Sequence, residues 1–206
     1  MERDQYIYYP ALSASRIKSF YNGEMIFSSK ALDYGQSFHY QLLETSYDSM
    51  PKEVQFIHDK IMEHPIAGYL FKDTKKEFAM VNDLIIENKL VNAKAMFDIY
   101  CEEKQIIADI KTTSATNLNS FISDMTKYNN HIQAVWFSMV ANLDPKNFYY
   151  IGVNKKFNKN KLNQECIYVY RHTDEEIEKA KFLINNYIKT QWEEVKKYLG
   201  QRTQNK

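Results

Sequence analysis

The stretch LVNAKAMFDIYCEEKQIIADIKTT, residues 90–113, decides the fold. Val91, Ala93, Ala95, Phe97 and Ile99 recur at every second position, the period of a strand with one buried face. Asn92, Lys94, Met96 and Asp98 fall on the other face. After the polar turn CEEKQ the alternation resumes, with Ile106, Ala108 and Ile110 on one side and Ile107, Asp109 and Lys111 on the other. Two strands joined so briefly form an antiparallel hairpin. If residue 98 pairs with 109, or with 107 so that 109 is its diagonal neighbour, both carboxylates share one surface. A slip by one residue would drive the acids among isoleucines, which the cost of burying unpaired charge disfavours.

Outward from this hairpin the period changes to that of helices. LSASRIKSFYNG (12–23) reads as a helix that Ser13 can cap, with Ile17 and Phe20 on one face and Gly23 at its end. Tyr34, Phe38 and Leu42 predict a second helix over 32–44, and residues 52–64 predict a third, punctuated by Pro65 and Gly68. A strand is expected from Phe78 to Val81. Downstream, Phe121, Met125, Tyr128, Ile132, Val135 and Met139 trace the apolar stripe of a helix from Leu118 to about Ala141. NFYYIGV and CIYVYR are two further strands. A last amphipathic helix runs from Asp174 to Leu199, capped by Thr173 or Asp174 and ended by Gly200. This order implies an α/β or α+β domain with a mixed central sheet flanked by helices.

The chain has 206 residues, 44% of them hydrophobic and 15% aromatic, which suits one self-folding domain over 1–206 rather than a disordered chain. Within it, helices occupy 12–64, the sheet and its crossing helix 77–171, and a terminal helix 174–199. The N-terminal residues lack a signal-peptide pattern and no apolar run could span a bilayer, so a cytoplasmic location without membrane association is expected. Cys101 and Cys166 are too few for a disulfide framework and are expected as free thiols. A net charge of +1 excludes a global basic field, so any phosphate contact must be local. The densest basic segment, residues 154–161, contains Lys155, Lys156, Lys159 and Lys161; it is either a solvated turn or a contact to a phosphate backbone.

Asp98, Asp109 and Lys111 carry the chemistry. Two adjacent carboxylates repel unless a cation lies between them, and Mg²⁺ accepts one or two carboxylates while keeping waters and substrate phosphate. Such an ion would polarise a phosphodiester and acidify a bound water, and Lys111 could orient that water or steady the developing charge. An acid and a lysine two apart on a strand also occur as a simple ion pair, so the pattern alone leaves both readings open.

Four segments taken together narrow them. YGQSFHYQLLE (34–44), KAMFD (94–98), ADIKTT (108–113) and YNNHIQAVWFS (128–138) follow the order and approximate spacing of the RecE-type exonucleases, in the RecB-like branch of the PD-(D/E)xK nuclease superfamily. The resemblance runs from about Leu12 to Tyr170. It implies a restriction-endonuclease-like α/β core and a Mg²⁺-dependent deoxyribonuclease, with Mn²⁺ able to substitute. It implies Asp98 and Asp109 as metal-binding acids, Lys111 as the catalytic lysine, the Ile110 carbonyl, His39 and Glu77 as further metal ligands, and Gln133 as the glutamine of a Q-x-x-x-Y helix. Phe137 stands where that helix commonly has tyrosine, so a packing role survives there and a hydroxyl role does not. The lead-in VNAKAMFD also lacks the glycine and arginine often found before the first acid. LSASRIKSF is similar to a motif that contacts a DNA-end phosphate, which makes Ser15 and Arg16 DNA-binding candidates; Ser13 and Ser15 could equally cap a helix. Lys155 and Lys156 are candidates of the second kind.

The substrate implied is DNA with double-stranded ends, processed for recombination or repair, with a ring-shaped homo-oligomer and a single-strand annealing protein as expected partners. A structure-selective or nicking endonuclease on the same core, and an inactive DNA- or protein-binding module, are the alternatives. Two cysteines cannot hold the four-thiolate iron–sulfur cluster of some relatives.

Overall fold

The computed structural model describes residues 3–23, 29–155 and 165–203. The expected mixed α/β architecture is present: a six-stranded mixed sheet with helices against it. Helix α1 (Arg3–Tyr8) and strand β1 (Leu12–Ser13) lead into α2 (Ala14–Asn22), α3 (Ser29–Leu43), α4 (Lys52–Glu63) and α5 (Pro65–Phe71). The hairpin arm follows as β2 (Lys75–Ile86), β3 (Lys89–Cys101) and β4 (Ile106–Thr113). Then come α6 (Leu118–Lys127), α7 (Asn130–Ala141), β5 (Phe148–Asn154), β6 (Ile167–Tyr170), α8 (Asp174–Thr190) and α9 (Trp192–Thr203).

The strands run β1-β3-β4-β5-β6, with β2 on the other flank of β3. β3 changes partner along one edge. It is parallel to β1 at Leu12↔Ala93 and Ser13↔Lys94, then antiparallel to β4 from Ile99↔Ala108 to Cys101↔Ile106. Between these two pairings the sheet forks, and Asp98 stands at the fork. The observed register, continued one step, sets 98 opposite 109, the first of the two expected pairings.

Both faces of the sheet are covered. One core joins Phe97, Tyr100, Ile107, Tyr150, Ile132 and Trp136; a second joins Phe38, Leu42, Val54, Leu70, Ile99, Ala108 and Ile110. One expectation changes as a result. The apolar face from Val91 to Ile99 is not unbroken, because Phe97 belongs to the first core and Ile99 to the second. The phase slips at the fork, where Glu77, between the pairs Lys76↔Ile99 and Phe78↔Phe97, takes a left-handed backbone with φ 46°. The polar face that carries Asp109 and Lys111 is covered by α7, and Asp109 is 3% exposed.

Helix limits differ from the periodicity reading for identifiable reasons. Pro65 starts α5 instead of closing a helical region, because proline fits a first-turn position, and His64 Nδ1 accepts the Ala67 amide there. The stripe from Leu118 to Ala141 is two helices, broken where Asn129 is left-handed (φ 50°) and donates to Asn22 Oδ1 at 2.6 Å. The C-terminal helix also breaks, at Gln191, and Gly200 lies inside α9. β2 is longer than Phe78–Val81 because β3 pairs with it along almost its whole length. Cys101 and Cys166 are free and buried. Among the described residues no helix is long and apolar enough to cross a membrane.

Gly152, paired with Lys111 across β4 and β5, lets the Phe121 ring lie flat against the strand: a Cβ there would meet ring carbons at 2.8 Å. Gly152→Ala should destabilise the fold by about 1–3 kcal/mol, the range for overpacking, read from denaturant midpoints. A second prediction concerns acid. Glu176 accepts from Thr173 N at 2.9 Å, from the Tyr170 hydroxyl, and contacts His172 Nδ1 at 3.2 Å. Burial alone would raise its carboxyl, but these donors prevail and hold it at about 2. Burial lowers His172 and takes His131 to about 4. All three folded-state values lie below the unfolded ones, so their stabilisation is complete above the unfolded values and is lost as pH falls. Melting temperature should decline on acidification below about pH 6.5, and Glu176→Gln should flatten the part of the decline below about pH 4.5.

Candidate active site

The fork in the sheet becomes a cavity of about 600 Å³, lined by His39, Glu77, Asp98, Asp109, Lys111 and Gln133 among others. Each comes from a different place in the chain. His39 projects from α3, which Phe38 and Leu42 anchor in the second core. Glu77 comes from β2 and owes its position to the left-handed φ noted above, a conformation that costs a residue with a side chain of order 1 kcal/mol and clusters at functional sites. Asp98 comes from β3, Asp109 and Lys111 from β4, and Gln133 from the first turns of α7.

Asp98 closes the fork. Its Oδ2 accepts the Ile110 amide at 2.7 Å, a backbone donor that the splayed ladder with β3 leaves over, and the same oxygen is 3.4 Å from His39 Nδ1. Asp109 makes a separate set: its Oδ2 is 2.7 Å from Lys111 Nζ, and its Oδ1 accepts Gln133 Nε2 at 2.5 Å. Lys111 Nζ also donates to Gln133 Oε1 at 3.3 Å, which closes a three-residue ring.

The electrostatics divide the two acids. Burial would raise Asp98, but the His39 and Lys111 charges and the Ile110 amide outweigh it and hold the carboxyl below the usual range. Burial lifts Asp109 above that range in spite of Lys111, and the charge of Asp98 adds to the lift. Burial works against the protons of His39 and Lys111 as well, yet the acids prevail and both are raised.

His39, Glu77 and Asp98 each offer a ligand atom, and these atoms lie within 4.8 Å of one another. One imidazole nitrogen and two carboxylates are a donor set that could hold a divalent metal ion. Asp109 lines the same cavity but, engaged by Lys111 and Gln133, stands outside that group of three. Ile110 also lines the cavity.

The remaining candidates separate. Ser15 is exposed and lines a neighbouring pocket with Ser13 and Gln133. Ser13 is the N-cap residue of α2 by position, but its hydroxyl bonds Ser15 Oγ at 2.9 Å and makes no cap hydrogen bond. Arg16 lines a further pocket with Ser13 and Ser15, away from the acids, its guanidinium 4.2 Å from the centre of the Tyr198 ring. Lys155 is exposed on the cavity rim, with its amide bonded to Thr113 O at 2.9 Å. Lys156, Lys159 and Lys161 lie outside the described residues. Phe137 packs edge-on against Phe97 at 5.4 Å, in keeping with a packing role. The sequence reading did not single out Lys18, Asp124, Tyr128 or Asn130, all of which line the cavity. They share no strand alternation with the acids, and only the break at Asn129 turns Tyr128 and Asn130 toward them.

No protein-family model matches the chain, and no curated protein matches it. Among solved structures, a protein from Eubacterium rectale named a "Putative exonuclease" superposes with a TM-score of 0.61 at 13% identity, covering 98% of this chain and 87% of its own. A phage-related exonuclease from Haemophilus somnus 129PT gives a TM-score of 0.45 at 13% identity, covering 93% and 82%. The first of these likenesses shows a shared fold.

A metal ion held by this cluster would compete with protonation at His39, since the imidazole must be neutral to act as a ligand. The Asp98 carboxylate raises His39 against the effect of burial, so its proton is held more tightly than on a free imidazole and would have to be displaced. Affinity for Mn²⁺ should therefore increase from about pH 6 to about pH 8, with proton release visible by calorimetry in buffers of different ionisation enthalpy. His39→Ala should remove most of this pH dependence.

Proposed function

We propose that the chain is a divalent-metal-dependent deoxyribonuclease that hydrolyses phosphodiester bonds at double-stranded DNA ends. The observation that carries the reading is the meeting, in one cavity, of the His39, Glu77 and Asp98 donors with the Asp109, Lys111 and Gln133 ring. Neither half explains the other as packing: three ionisable groups converge at the fork, and a half-buried ammonium is held next to them. The fold shared with a protein that carries an exonuclease name supports the same reading, as does the order of the four motifs.

Mg²⁺ is the proposed ion, with Mn²⁺ substituting; it would polarise the phosphate and make a bound water acidic. In this assignment His39, Glu77 and Asp98 hold the ion, with Asp109 and the Ile110 carbonyl as further ligands. Asp109 also fixes Lys111, and Lys111 keeps its proton, so it serves as a donor to developing negative charge rather than as a base. Gln133 holds both partners in register by donating to one and accepting from the other. Ser15, Lys155 and Lys156 are proposed to contact the DNA backbone and Arg16 to lie further along its path. A role in recombination or repair, a ring-shaped oligomer around the duplex and an annealing partner extend the proposal; a single domain over 1–206 in the cytoplasm is its setting.

The test uses end-labelled linear duplex and covalently closed circles with Mg²⁺, Mn²⁺ or chelator. Linear DNA should be degraded with metal while circles survive. Cleavage of circles would reassign the chain as an endonuclease on the same core. Asp109→Asn should lower the rate by at least about 100-fold and keep the melting transition cooperative. No metal-dependent loss of any DNA, from a chain that melts cooperatively, would leave only a binding module.

A further inference from the structure

The cavity has a second lysine to which neither its strands nor its motifs assign a task. Lys18, on α2, lines both the cavity with the acids and the adjoining pocket of about 380 Å³ that Ser13, Ser15, Ser19 and Asn22 help to form. Its side chain is half-buried, and its Nζ donates to Asn130 Oδ1 at 2.6 Å. Among the described residues that neutral amide is its one hydrogen-bond partner, and no carboxylate pairs with it.

Other lysines of this fold are differently placed. Lys94 Nζ donates to three carbonyls, those of Tyr6, Ile7 and Tyr9. Lys76 is shared between Phe71 O and Thr74 Oγ1, and Lys104 between Tyr69 O and Lys72 O. Each of these ammonium groups ties two or more oxygens of its own chain. An ammonium has three donors, and among the described residues Lys18 uses one. Nor is its charge the sole tie between α2 and this region, because Asn22 holds α2 to the junction of α6 and α7 through Tyr128 O at 3.3 Å and Asn129 Nδ2 at 2.6 Å. A partly desolvated cation with spare donors, beside a cavity whose acids are otherwise engaged, calls for an anion from outside the chain.

We propose that Lys18 binds a non-bridging oxygen of the phosphodiester that is cleaved, as a second cationic contact beside Lys111. This rests on the nuclease reading above. Burial and then the nearby Lys111 charge bring Lys18 down to about 7, against the opposing pull of the Asp109 carboxylate, and a phosphate oxygen in direct contact would offset both lowering effects. The phosphate then lies between cationic donors from two elements, β4 and α2, which fixes its orientation more tightly than one lysine can.

Two variants separate charge from scaffold. Lys18→Gln keeps a donor for Asn130 and removes the charge; Asn130→Asp keeps the lysine and gives it an internal counter-ion. Binding of a fluorescein-labelled duplex is measured by anisotropy in chelator across a salt series, and cleavage with Mn²⁺ on the same duplex. Each variant should melt as the wild type does, cleave at least about 100-fold more slowly, and lose about 0.9 from the slope of log affinity against log salt, the value for one phosphate contact. Lys18→Arg should keep the wild-type salt slope. Wild-type slope and rate in both variants would overturn the proposal. So would a loss of activity that merely tracks a lower melting temperature while the salt slope stays unchanged. Failure of the wild-type chain itself to cleave with Mn²⁺ is a separate outcome: it would remove the nuclease reading, and this contact with it.

Discussion

The hydrogen bond from the Ile110 amide to the Asp98 carboxylate is the interaction on which the rest turns. A sheet that forks leaves backbone donors without ladder partners, and a buried donor left alone costs about 1–3 kcal/mol. Asp98 meets that need with one oxygen, which fixes the side chain at the point where β1 and β4 part. The same oxygen then attracts His39 from α3, so a demand of the backbone becomes the nucleus of a charged site. The chemistry sits at the fork because that is where the sheet is least complete.

Around that point the structure separates its two acids by environment. Asp98 is held ionised by an imidazole, an ammonium and an amide, which suits it to a cation. Asp109, buried and drawn upward, is kept in a closed ring with Lys111 and Gln133. The near-neutral chain therefore contains a strongly polarised interior, and its net charge of +1 gives no sign of it. An anion entering such a cavity would be felt at close range rather than drawn in by long-range attraction.

Much of this was legible in the sequence because the hairpin has a short connection and a strict period. Those two facts narrow the register to two pairings, both of which set residues 98 and 109 on one surface, and the family resemblance points His39, Glu77 and Gln133 to the same place. The breaks at Asn129 and Gln191 were not legible, since an apolar stripe continues across them, and only the contact with Asn22 accounts for the first. The covered face over Asp109 was also missed: alternation shows which side a residue takes, and not that α7 will roof the polar side with its own apolar residues. Lys18 carried no signal because a lysine next to Ile17 in an amphipathic helix resembles any solvated one. Its surroundings come from α7, more than a hundred positions away.

The left-handed backbone at Glu77 sets what kinds of change the chain can tolerate. Glycine would relax that turn of strand and make the folded state easier to reach, while taking away a donor from the cluster at the fork. On the nuclease reading, selection for heat resistance alone would therefore favour a sequence that outlasts its parent and cleaves less. Laboratory evolution of this scaffold would then have to score turnover and robustness together, because at residue 77 the two would pull in opposite directions.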